Sequence, residues 1–256
     1  MNVAISPCPN DTWIFGSWIL GRVPGPAARF FWHDVQELNE RAAQGCFDVI
    51  KVSAAAALGL AEYHILSCGG AFGLEHGPKL VTRTPPPKHL QRIAVPGLAT
   101  TAYRLLRAAL GPEFEAVPTI FHAIPEMVQT GAVDAGLVIH ETALIYARLG
   151  LTLALDLGQW WREVSHGLPI PLGVIAMDRK HPPEARAAVE DAIRKSLTFA
   201  RSHPEAVMPL VRSLAQELDA PTLANHIAAY ANDLSLDMGE AGRAALTLLG
   251  RLGTSP

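Results

Sequence analysis

Four short segments place hydroxyl, ammonium, imidazole or free backbone N–H groups directly after stretches that read as buried strands. In open α/β sheets ligands bind beyond the carboxyl ends of strands, where helix N-termini turn unpaired N–H groups outward, so chemistry belongs at such junctions. The first, Ser6-Pro7-Cys8-Pro9-Asn10-Asp11-Thr12, is stiffened by two prolines, and Asn10 or Asp11 can cap the following helix through a side-chain oxygen. Capping alone accounts for Asn10 and Asp11 but not for the tight Pro-Cys-Pro. Cys8 stands where a helix N-terminus favours a thiolate, yet no base lies near it in sequence to support a nucleophile. The second junction, Lys51-Val52-Ser53-Ala54, sets an ammonium in a very apolar run, which is costly unless an anion or a carboxylate partners it. Ser53 either caps the next helix or, with the amides after it, receives a ligand carboxylate or hydroxyl.

The third junction is Gly97-Leu98-Ala99-Thr100-Thr101-Ala102-Tyr103, where Thr100 or Thr101 caps a helix and the Thr101 and Ala102 amides point to where anions settle. The fourth is His140-Glu141-Thr142: a histidine just past a buried strand can stay neutral at pH 7 and accept a proton, although a lone histidine equally serves structure. The binding set is therefore Asn10, Lys51, Val52, Ser53, Thr101 and Ala102, with His140 the candidate base. The other histidines, His226 among them, lack metal-ligand spacing, so no metal is expected. Cys68-Gly69-Gly70-Ala71-Phe72-Gly73 matches no phosphate-loop pattern, and Trp160-Trp161 reads as cover for a core or lobe edge.

A sheet has to hold these junctions, and apolar segments rich in β-branched residues do alternate with longer helical patterns, the rhythm of an α/β protein with mostly parallel strands. Strands are predicted over residues 2–6, 29–32, 48–52, 79–82, 92–95, 135–139 and 173–177. Helices are predicted over 12–20, 35–44, 54–60, 101–109, 124–130 and 142–149, and after Pro182 over 183–202, 204–217, 220–234 and 240–252. One internal echo stands out. Glu37-Leu38 leads through Gly45 and Asp48 to Ser53, and Glu126-Met127 leads through Gly131 and Asp134 to His140. Helix, glycine and strand is also the commonest α/β unit, so the echo alone does not prove two related halves. Pro85, Pro86 and Pro87 cannot sit in a central strand and mark a crossing over 83–90; a second falls at 167–171. Two α/β lobes joined by two crossings, residues 1–90 plus 171–256 and residues 91–170, describe a hinged, cleft-forming fold of the type II periplasmic-binding-protein kind.

The 256 residues suit one large or two small domains. Lys+Arg 21 against Asp+Glu 24 gives a net charge of −3 without long single-sign runs, which excludes the footprint of a nucleic-acid or anionic-membrane binder and points to a small-molecule partner. No stretch approaches the ~18 uninterrupted apolar residues of a membrane span. The start MNVAISPCPN has no basic segment followed by a long apolar one, so export is not expected and the cytoplasm is the expected location. Three cysteines without CxxC spacing indicate neither a disulfide framework nor a zinc site. Oligomeric state is not legible.

The segments NVAISPCPNDTWIF, KVSAAA, PGLATTAYRLL and GLVIHE, in this order and spacing, resemble the 1,4-dihydroxy-6-naphthoate synthase family of the futalosine route to menaquinone. The resemblance runs from residue 2 to about 250. It implies a two-lobed solute-binding-protein scaffold turned into a cytoplasmic carbon–carbon lyase without metal or organic cofactor, acting on cyclic dehypoxanthine futalosine. It further implies that the family's base falls on His140 and its ligand contacts on Lys51-Val52-Ser53 and Thr101-Ala102. Ala54 departs from the pattern, which leads one to expect an aromatic residue there. A chorismate dehydratase on the same scaffold would also grip a carboxylate, but the SPCPNDT start and His140 argue against it. A non-catalytic carboxylate-binding protein of this fold would need export.

Overall fold

Strands with both faces buried read as continuous apolar runs, because helices cover the sheet on either side. In the computed structural model, which describes residues 1–215 and 219–252, the chain opens with β1 (Asn2–Ile5), α1 (Pro9–Ile19), β2 (Arg29–Trp32), α2 (Val35–Ala43), β3 (Val49–Ser53) and α3 (Ala54–Ala57). It continues through β4 (Tyr63–Ile65), β5 (Ala71–Gly73), β6 (Lys79–Thr82), β7 (Arg92–Val95), α4 (Thr101–Leu110), β8 (Glu115–Pro118), α5 (Ile124–Gln129) and β9 (Ala135–Val138). Then come α6 (Thr142–Ile145), β10 (Thr152–Asp156), α7 (Leu157–Val164) and the long β11 (Ile170–Asp178). Helices α8 (Pro183–Ser202), α9 (Pro204–Leu214), α10 (Ala220–Tyr230), α11 (Asp233–Leu236) and α12 (Gly239–Arg251) close the described chain.

The strands form two sheets, one per lobe. The first has the order β2-β1-β3-β11-β4, with β5 also paired to β11; the second has the order β10-β6-β9-β7-β8. β1 runs parallel to β2 and β3, and β7 runs parallel to β8 and β9. β11 is antiparallel to β3, β4 and β5, and β6 is antiparallel to β9 and β10, so the expectation of mostly parallel strands holds only for one side of each sheet, β2-β1-β3 and β9-β7-β8. β11 follows helix α7 just as a parallel strand would, which is why the alternation hides its direction.

The first crossing differs from the expected position. Lys79–Thr82 pairs with β9 and β10, so the chain leaves the first sheet over residues 74–78, ahead of the three prolines, which instead lie between β6 and β7 within the second lobe. A strand needs only a short connection to change sheets, and prolines mark a break without saying which sheets it divides. The chain rejoins the first sheet at β11, which begins at Ile170. Helix 220–234 also breaks: Asn232 accepts a hydrogen bond from Leu234 N–H and donates to the Phe72 carbonyl, ending α10 and capping α11. The predicted end of the preceding helix, at Glu217, lies outside the described residues.

Apolar packing continues from one lobe to the other. A cluster containing Ile50, Val52 and Val174 of the first sheet also holds Leu80, Ile93 and Leu137 of the second. A second cluster joins Trp13, Phe15 and Trp18 of α1 to Ile193 and Leu197 of α8 and Val207 of α9. The glycine run 68–73 is explained by packing: Gly69 has φ +77°, and a Cβ there would come within 2.7 Å of Ile175. Trp161 of α7 is wholly buried, and its Nε1 donates to the Leu168 carbonyl at 2.8 Å, tying the helix to the segment that leads back into β11. Trp161→Ala leaves a large cavity and removes the shorter of the two hydrogen bonds to the Leu168 carbonyl; we expect a loss of about 3–5 kcal/mol in denaturant unfolding, with the far-ultraviolet circular dichroism of the folded state unchanged.

Candidate active site

The carboxyl ends of β1 and β3 in the first sheet face those of β7 and β9 in the second across a cleft of about 700 Å³ including its mouth, a size suited to one small organic molecule. Asn10, Lys51, Val52, Ser53, Thr101, Ala102 and His140 all line it, so the structure brings the whole predicted set together. Ala54 is wholly buried in the core and lies outside the lining.

The floor is polar and tightly paired. Lys51, 6% exposed, forms an ion pair with Asp11, 1% exposed. The other Asp11 oxygen accepts from the Ser6 hydroxyl at 2.7 Å and from Ser6 N–H at 3.3 Å. This corrects the capping expectation: α1 starts at Pro9 with Cys8 as its N-cap, so Asn10 and Asp11 lie inside the first turn and reach back toward the sheet. The Asn10 amide donates to Asp11 Oδ1 at 2.8 Å, and its oxygen faces His226 Nε2 at 2.9 Å. Gly173 of β11 allows the lysine stem to lie flat, since a Cβ there would stand 2.6 Å from Lys51 Cε.

Ser53 is set from below. Asn39 of α2 accepts from Ser53 N–H at 2.8 Å and donates to its hydroxyl oxygen at 3.0 Å, which leaves the hydroxyl hydrogen as a donor for the cleft. Across the cleft, Thr100 caps α4 by accepting from Tyr103 N–H at 3.2 Å. The Thr101 and Ala102 amides then stand at the positive end of the helix dipole. The Thr101 hydroxyl is committed elsewhere: it accepts from Ala55 N–H and donates to the Leu172 carbonyl, both at 3.0 Å, bridging the lobes.

His140 follows β9 with φ +55°, a left-handed conformation that L side chains adopt rarely. Its half-buried ring meets the edge of Phe121 at 4.9 Å and stacks on His226 at 6.1 Å and 19°. Cys8 Sγ lies 3.7 Å from His140 Nε2. Burial holds the imidazole below its ordinary pKa, against the opposing pull of Glu141, Asp11 and Asp34. Burial, reinforced by Glu141, pushes the Cys8 thiol well above its ordinary value, so it stays protonated and unsuited to attack. Among the described residues no group of three or more His, Cys, Asp or Glu side chains could hold a metal ion.

Sequence reasoning missed the supports. The sequence offers Asp11 only as a cap, although Lys51 calls for a carboxylate. Asn39, on the helix predicted over 35–44, and Tyr230, on the one predicted over 220–234, carry no sequence signal, yet one holds Ser53 and the other lines the cleft. His226 has no more sequence signal than the other histidines, yet it is wholly buried behind the cleft. A polar residue inside an otherwise apolar helical stripe was the available clue.

A family model described as menaquinone biosynthesis matches residues 1–254. A curated 1,4-dihydroxy-6-naphthoate synthase of Thermus thermophilus is 40% identical over 256 residues, covering 97% of this chain and 92% of its own length. A solved Archaeoglobus fulgidus protein superposes with a TM-score of 0.92 at 34% identity, covering 97% of this chain and 94% of that one. A Candida albicans protein described as having the generic periplasmic binding protein fold superposes at 0.69 with 16% identity, over 100% of this chain and 92% of that one, and bears on fold alone.

The buried pair makes the floor testable without any ligand. Lys51→Met strands the Asp11 charge, and we expect about 3–5 kcal/mol of lost unfolding stability, most of it recovered in the double variant with Asp11→Asn. Urea titration of the four proteins of this cycle measures the coupling; a strictly additive result contradicts the pairing.

Proposed function

This chain belongs to the menaquinone-biosynthesis family, and from that premise we propose that it is a carbon–carbon lyase converting cyclic dehypoxanthine futalosine to 1,4-dihydroxy-6-naphthoate. The carrying observation is an imidazole of lowered basicity on the same wall of a small-molecule cleft as the N-terminus of α4. In this reading the Thr101 and Ala102 amides hold the substrate carboxylate, helped by the Ser53 hydroxyl, while Val52 and Asn10 shape the wall beside it. Lys51 is spoken for by Asp11 and so supports the site's floor more than it grips the substrate.

His140, neutral at pH 7, removes a proton from the sugar-derived ring. Collapse of the resulting electron pair breaks a carbon–carbon bond and releases the polyhydroxylated fragment, and formation of the aromatic naphthoate drives the step. Closure of the lobes excludes water and fixes the reacting atoms. The hinge we assign to the two sheet-changing segments, 74–78 and 157–169, with residues between them forming the smaller lobe. No helix of the described residues is long and apolar enough to cross a membrane, and a biosynthetic role on a small substrate supports a cytoplasmic location.

Purified protein incubated with cyclic dehypoxanthine futalosine should yield naphthoate by mass spectrometry, and His140→Ala should fold, bind and lose kcat by about 10² or more. Wild-type turnover in that variant removes His140 from the mechanism. For the carboxylate grip, Thr101→Pro deletes an amide donor at a position whose predecessor is already extended, whereas Thr101→Val deletes only the bridging hydroxyl. Calorimetric titration should show severe loss of affinity in Thr101→Pro and a much smaller loss in Thr101→Val; equal affinities in the two mean the amides were misread.

A further inference from the structure

Behind His140 lies a buried arrangement that the proposed reaction does not use. His226 of α10, in the first lobe, is wholly buried, and Glu141, at the end of β9 in the second lobe, is 7% exposed. Glu141 Oε2 and His226 Nδ1 face each other at 3.6 Å, and neither has a hydrogen-bond partner among the described residues. The remaining atoms fix the ring's tautomer. The Asn10 nitrogen is committed to Asp11, so its oxygen must accept, and His226 therefore carries a hydrogen on Nε2. Burial presses His226 toward its neutral form, which turns a bare Nδ1 lone pair toward the carboxyl oxygen. Two facing lone pairs in a dry interior are costly, and one proton between them removes the conflict.

We infer that Glu141 and His226 share one proton across the closed cleft and that the pair is a positioning element for His140. The inference about catalysis rests on the reaction proposed above; the shared proton does not. His140 is held in an uncommon backbone conformation, its neighbour Glu141 is the next residue along the chain, and His226 is the surface on which its ring stacks. Facing His140 are Cys8 and Asp11 of α1 and its entrance, Asp34 at the end of β2, Lys51 of β3, Glu141 and His226. Facing His226 are His140, Lys51, Asn10, Tyr230 and Glu141. The proton belongs to the pair as a unit, so its titration is not that of either residue alone. The partners come from different lobes, so the pair links the two across the cleft.

The test uses the full chain with nitrogen-labelled histidine, alone and with naphthoate as a carboxylate probe. We expect a strongly deshielded, exchange-protected proton coupled to His226 Nδ1, distinct from the Nε2 proton held by Asn10, in at least one of the two states and lost in Glu141→Gln and in His226→Gln. Its absence from the wild-type protein in both states, or its survival in Glu141→Gln, overturns the shared proton. In turnover assays Glu141→Gln should lower kcat about tenfold with little change in KM and should displace the acid limb of the pH profile. A Glu141→Gln enzyme with unchanged kcat and an unmoved pH profile overturns the positioning role, even if it melts earlier. Should the wild-type protein make no naphthoate, the reaction falls while the spectra still decide the pair.

Discussion

An ammonium group inside a sheet must be neutralised, and the way this chain does so organises everything around the cleft. Lys51 points from the middle strand of the first sheet toward α1, and Asp11 answers it from the helix's first turn. That demand fixes where α1 begins, because the carboxylate has to reach both the lysine and Ser6 at the end of β1. It also explains why Asn10 does not cap the helix but passes the network onward to His226. The two prolines hold the loop in the one path that permits this. Pairing costs less than burial of a lone charge but earns little net stability, so the network is better understood as specifying an arrangement than as strengthening the fold.

The two walls divide the work by chemical type. The first-lobe wall carries the fixed Lys51–Asp11 pair and side chains already committed to hydrogen bonds, with the Ser53 hydroxyl hydrogen left over as a donor. The second-lobe wall contributes a helix N-terminus and one imidazole, groups whose capacity is still free. Apolar packing runs continuously between the sheets, so the lobes meet on a shared surface through which Thr101 bridges to Ala55 and Leu172. Cys8, a residue that sequence spacing left without a base, does find His140 from the opposite lobe, but its burial keeps it a weak donor.

Legibility from sequence followed the range of the interactions. The four junctions were readable because a buried strand, a cap and a helix start are neighbours in the chain, and their chemistry depends on backbone groups that any such junction exposes. Lys51 announced that it needed a partner, but the identity of that partner depends on which strands become neighbours. β4 and β5 span three residues each, too few for alternation to register. The first crossing was misplaced because prolines report local backbone limits, whereas sheet membership is decided by pairing partners far away. His226 escaped for the same reason: nothing on α10 indicates that it will lie against a residue of the other lobe.

The late arrival of β11 has a consequence for how the molecule is made. This strand pairs with β3, β4 and β5, yet it is synthesised only after the entire second lobe, so Lys51 meets its cross-strand neighbour Ile175 across most of the intervening chain. The second lobe's strands, by contrast, all emerge in one continuous stretch and can pair as they leave the ribosome. The first lobe must wait, with β1, β2 and β3 offering an open edge until β11 covers it, a slow, long-range closure that leaves the half-built sheet exposed to aggregation.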